Sequence, residues 1–60
     1  MKKMIIGFIN DGTKIVISND KVELEVTKNN IVKYDEEKII VKNNNMISWM
    51  KWNEIEYFRF

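Results

Sequence analysis

The chain has no cysteine, no histidine and no proline, and only two glycines among its 60 residues. Without cysteine there is no disulfide and no thiolate metal site. Without histidine there is no imidazole ligand and no imidazole acid or base, which also removes the Ser-His-Asp arrangement. Gly7 and Gly12 are too few for a glycine-rich phosphate cradle. Neither sign of charge dominates: ten Lys and Arg stand against nine Asp and Glu, a net charge of +1. Proteins that neutralise many phosphates usually carry a clear basic excess, so the composition disfavours extensive phosphate binding. Long hydrophobic runs are missing too. The apolar stretch Met4 to Ile9 is ended by Asn10-Asp11, whereas a signal-peptide core needs about 7–15 apolar residues and a membrane span roughly 20. A cytoplasmic chain without membrane insertion is the expectation.

What is present is a single small domain, residues 1–60, that is 45% hydrophobic with seven aromatic residues. A domain of this size buries only about 60% of the surface its unfolded chain exposes. Small domains usually add a disulfide, a metal or a second subunit. The first is excluded and no loop has the oxygen-ligand pattern of a metal site, so a homo-oligomer is expected and no metal or cofactor is assigned. Ile, Lys and Asn make up 27 residues, while Ala and Gln are absent. This is the codon signature of an AT-rich gene.

Turn residues recur at short intervals: Asn10-Asp11-Gly12, Asn19-Asp20, Lys28-Asn29-Asn30, Asp35-Glu36-Glu37 and Asn43-Asn44-Asn45. The runs between them are β-branched, which favours strands. Lys3–Ile9 reads as a first strand with apolar residues on both faces, closed by an Asp11-Gly12 hairpin turn. Thr13–Ser18 reads as a second, with Ile15 and Ile17 inward. Lys21–Thr27 alternates with period two, placing Val22, Leu24 and Val26 inward and Glu23 and Glu25 outward. Ile31–Tyr34 and Lys38–Lys42 flank the acidic turn. The last segment reads as a strand Met46–Trp49, a helical turn through Met50–Asn53 and a final strand Ile55–Phe60. One helix from Ser48 is the alternative, but Glu54 interrupts its apolar stripe. The fold expected is an all-β, five- to six-stranded antiparallel barrel, SH3-like or OB-like, with a short helical turn before the last strand.

Catalytic groups are scarce. Glu23 and Glu25 share one strand face about 7 Å apart, but neither has a basic or aromatic neighbour in sequence that would shift a pKa. Ser18 and Ser48 lack a base. A non-enzymatic role is expected. The unusual feature is the cluster Trp49, Trp52, Tyr57, Phe58 and Phe60, interleaved with Lys51 and Arg59. Trp, Tyr and Arg dominate protein-interface hot spots. Aromatics beside cations also stack bases and attract phosphate. Trp49, Lys51, Trp52, Tyr57 and Arg59 are therefore the candidate binding residues, with Ile5 and Ile9 of the doubly apolar first run as further contact residues.

The Ile/Lys/Asn bias, the small size and the ending Ile47-Ser48-Trp49 with Ile55-Glu56-Tyr57-Phe58 resemble in style the small β-rich proteins of phages and mobile elements of low-GC Gram-positive bacteria. The resemblance implies a homo-oligomer that inhibits a host defence component by binding a host protein or sequestering a nucleotide signal. It assigns no residue. A nucleotide or single-stranded nucleic-acid binder that uses the C-terminal aromatics is the alternative. A structural component of a viral or larger assembly is another.

Overall fold

The computed structural model describes all 60 residues. An N-terminal helix α1 (Lys2–Asn10) is followed by β1 (Ile15–Ser18), β2 (Glu23–Val26), β3 (Ile31–Tyr34), β4 (Lys38–Asn43), β5 (Met46–Lys51), a 3-10 turn (Trp52–Glu54) and β6 (Tyr57–Arg59). The strands form two three-stranded antiparallel sheets, β2-β1-β6 and β3-β4-β5. The fold is mostly β, and the helical turn before the last strand is present two residues later than the sequence implied. No helix is long and apolar enough to cross a membrane.

The expected first strand is instead α1. Ile5 and Ile9, four residues apart, are 0% and 1% exposed, and Phe8 packs against the same core. This is the i, i+3, i+4 stripe of an amphipathic helix, and a period-two reading of the same residues misses it. Asp11-Gly12 ends the helix rather than turning a hairpin. Gly12 has φ +87°, its N–H donates to the Ile9 carbonyl at 2.9 Å, and the Thr13 N–H donates to the Phe8 carbonyl at 3.0 Å. These paired bonds are a Schellman cap. Locally the helix is poor. Two lysines occupy its positive end, which opposes its dipole by roughly 0.3–1 kcal/mol each. Gly7 sits on its open face and costs about 1 kcal/mol relative to Ala. Burying Ile5 and Ile9, at about 1.5–3 kcal/mol apiece, outweighs both terms. Tertiary packing therefore decides this element.

β1 is the middle of its sheet. Ile15 and Ile17 enter a core shared with Leu24, Val26, Ile39, Val41, Met50 and Ile55, so both sheets and α1 meet there. β2 alternates as expected, with Leu24 and Val26 buried and Glu23 and Glu25 exposed. Val22 lies before the strand and is exposed rather than core. Asn44 and Asn45 both have positive φ, 51° and 66°, the backbone pattern of a two-residue hairpin turn.

No closed barrel forms. At the corner between β2 and β3 the backbone groups bind a side chain instead of another strand. The Asn30 carboxamide accepts the Thr27 N–H at 2.8 Å and donates to the Glu25 carbonyl and to the Asn43 side chain, each at 2.8 Å. Two asparagines thus tie β2 to the end of β4, across the gap between the sheets.

Candidate binding face

Strand alternation gives β3-β4-β5 an inner and an outer face. Ile31, Ile39, Val41 and Met50 pack in or against the core. The outer face carries the cross-strand pairs Lys38–Lys51, Ile40–Trp49 and Lys42–Ile47. On the other side of Ile40 stands Lys33, and a register shift between Ile31 and Lys33 inserts Val32. A bulge of this kind sets two residues opposite one, so Val32 and Lys33 both flank Ile40.

Four lysines therefore frame a patch of Val32, Ile40, Ile47 and Trp49, and none of the three strands contains an acidic residue. Trp49 and Ile47 are each 61% exposed. Lys38 stands directly opposite Lys51, a like-charge pairing that weakens a sheet. Of the four lysines, only Lys38 has a carboxylate within ion-pair reach, Glu37 at 3.6 Å. The other two acids of the hairpin tip form no ion pair with these lysines. The Asp35 carboxylate accepts the Glu37 N–H at 2.8 Å and the Lys38 N–H at 3.0 Å. Those bonds, Lys38's first, hold it below the ordinary carboxylate value of 3.8, with a smaller contribution from the Lys38 and Lys33 charges. Glu36 binds Lys2 of the helix at 2.8 Å.

The candidates named from sequence fall in four places. Trp49 and Lys51 lie together on this face. Tyr57 and Arg59 lie on the outer face of the other sheet, where Arg59 meets Glu23 at 3.7 Å. Trp52 is half-buried and structural in its contacts. Its indole N–H donates to the Asp35 carbonyl at 2.8 Å, and its backbone N–H donates to the Glu37 carbonyl at 3.0 Å. Tyr34 meets its ring edge-on at 6.4 Å. Trp52 thus pins the β3–β4 hairpin tip to the 3-10 turn. Ile5 and Ile9, expected at a contact surface, sit in the core because the first run is a helix.

Val32, Lys33, Lys38, Ile40, Lys42 and Ile47 were not among the sequence candidates. The signal was present: Lys38 and Lys42 alternate with the buried Ile39 and Val41, and the three strands carry cations without a single acid. Bringing those runs side by side requires the strand pairing.

An open groove of about 350 Å³ lies elsewhere, along α1, lined by Lys2, Lys3, Ile6, Gly7, Asn10 and Tyr34. No family model matches the chain, and no curated protein or solved structure is significantly similar to it.

Proposed function

We propose that this chain is a non-catalytic binding protein that acts by holding a partner against the outer face of β3-β4-β5. One observation carries the reading: an indole 61% exposed stands among four lysines on strands that carry no acid. An exposed tryptophan beside aliphatic neighbours is an anchor of the type that dominates binding energy, and the surrounding charge supplies orientation and on-rate. In this reading the order of the strands, with a meander, a 3-10 turn and a return of β6 to β1, is that of an SH3-like barrel opened into two sheets.

The test is amide chemical-shift mapping during titration with fractionated cell extract. Shifts should concentrate at Lys33, Ile40, Trp49 and Lys51 and vanish in Trp49→Ala. Shifts confined to Tyr57 and Arg59 would overturn the reading. The resemblance to phage proteins extends it to inhibition by occlusion of a host component.

Self-association is a second reading, favoured by the Phe60 ring. It is 63% exposed and lies edge-on to Phe8 at 5.0 Å. Sedimentation equilibrium at micromolar concentration should show a dimer that Phe60→Ala dissociates. A stable monomer would remove this second reading.

A further inference from the structure

We infer that the partner held on the outer face of β3-β4-β5 is single-stranded nucleic acid. Its backbone lies among Lys33, Lys38, Lys42 and Lys51, and one base stacks on Trp49 against the Ile40 side. This rests on the docking reading above and names the chemistry of its ligand.

Three observations converge. First, the like-charged Lys38–Lys51 pair lies directly across two strands, and Lys33, Lys42 and Lys51 have no carboxylate within ion-pair reach. The face is a concentration of positive charge on a protein whose net charge is only +1. Its complement is a polyanion. Second, Trp49 presents its ring to solvent instead of the core. A flat ring framed by cations matches a ligand whose anionic groups alternate with flat rings, and base–aromatic stacking is indifferent to sequence. Third, the strands place Lys38 and Lys42 roughly 13 Å apart, from a rise of about 3.3 Å per residue. That span suits a short segment, at the lower end of the roughly 4–16 nucleotides that single-strand-binding domains cover. A duplex would engage the lysines but keeps its bases stacked and paired, out of reach of Trp49. An acidic peptide would satisfy the charges and leave the ring without a regular partner.

The opposite sheet supplies an internal control. Its outer face carries Tyr57 and Arg59, but also Glu23 and Glu25, and these carboxylates repel phosphate.

The experiment is fluorescence anisotropy of a labelled 12-nucleotide oligothymidylate, a duplex of equal length and the purified protein, between 50 and 200 mM salt (concentrations of order those over which such binding weakens). The single strand should bind more tightly than the duplex. Its log–log salt slope should approach about −3, since each neutralised phosphate contributes roughly −0.7 on single strands. Trp49→Ala should weaken binding at least about fivefold through lost stacking. Lys42→Glu should weaken it and flatten the slope, while Tyr57→Ala leaves it unchanged. Polyglutamate should compete more weakly than unlabelled oligothymidylate, because it offers no ring to Trp49. Circular dichroism confirms that each variant is folded.

Absence of binding at 50 mM salt overturns the inference, as does binding that Trp49→Ala leaves intact or that polyglutamate displaces as effectively as unlabelled oligothymidylate. If oligonucleotide fails while a protein from extract still shifts Lys33, Ile40 and Trp49, only the nucleic-acid assignment falls. If neither ligand class responds to Trp49→Ala or Lys42→Glu, the docking reading falls with it.

Discussion

On the outer face of β2-β1-β6, two carboxylates, a guanidinium and a phenol surround a middle strand that water barely reaches. Val16 is 7% exposed there and Ser18 only 1%. On the outer face of β3-β4-β5, four lysines share the surface with an indole on the edge strand that is 61% exposed. Both sheets have three strands, and both lay their other face on the same core. What distinguishes the two outer faces is the signs of their charges. Arg59 meets Glu23 across β1 at 3.7 Å, so this face pairs opposite charges over its middle strand. Trp49 stands on the edge strand β5, and Tyr57 on the edge strand β6 of the other sheet is 55% exposed, so the open position is shared and the charge around it is not. An exposed indole beside like charges paired across strands departs from local rules, and such departures are expected at functional sites.

The comparison can be broken first at the core that both sheets share. Ile17→Ala and Ile39→Ala each leave a cavity and should each lower stability by about 2–5 kcal/mol. For a domain this small that corresponds to a melting-temperature drop of at least about 8 °C in thermal circular dichroism. If only one variant melted early, the sheets would be energetically separate and their faces could not be compared as parts of one unit.

A sharper contrast comes from the outer faces themselves. Val16→Ala removes two methyl groups from a covered site and should lose about 1–2 kcal/mol in urea unfolding. Trp49→Ala removes a far larger side chain from an open one and should stay within about 0.5 kcal/mol of the parent. A Trp49→Ala loss comparable to that of Val16→Ala would show that the indole supports the fold and is not free to serve a ligand.

The helix belongs to neither face and provides a reference of known sign. A Cβ added at Gly7 meets nothing within 4 Å, so Gly7→Ala should raise stability by roughly 0.5–1 kcal/mol. A loss on that substitution would mean that the α1 surface is already engaged.

Smaller still is the effect of Lys51→Glu. Replacing a like-charge pair with an attractive one opposite Lys38 should stabilise the sheet by a few tenths of a kcal/mol, seen as a slightly higher urea midpoint at low salt. The change should weaken binding while it improves folding.

The finest adjustment is in acid. Because Asp35 titrates below 3.8 in the folded chain, the stability from its carboxylate bonds is fully present above that value. It is lost as pH falls through the lowered folded value. A carboxyl-carbon NMR titration should place its midpoint below 3.8. The urea-midpoint advantage of the parent over Asp35→Ala should shrink only in that acid range.

Several of these features could be read along the chain. The alternation in Glu23–Val26 is visible because one side of that strand is wet and the other dry. The Asn44-Asn45 turn and the 3-10 segment after Lys51 announce themselves through residues that accept positive φ or interrupt β-branched runs. Lys3–Ile9 misled because Ile5, Ile9 and Phe8 satisfy a helical stripe while Met4, Ile6 and Phe8 satisfy a strand. Nothing within seven residues separates the two. Trp52 and Trp49 are likewise indistinguishable as letters. One is held by the Asp35 and Glu37 carbonyls of a hairpin 15 or more positions away, and the other faces outward across from Ile40.

Local residue preferences, acting over a few bonds, were enough to specify a small β-rich chain punctuated by asparagine turns and lacking the groups for imidazole or thiol chemistry. Strand pairing alone decided that Lys33, Lys38, Lys42 and Lys51 stand together while Glu23 and Glu25 stand with Arg59. Charges scattered evenly in one dimension can be sorted by sign in three, because a sheet makes neighbours of residues that its sequence keeps apart.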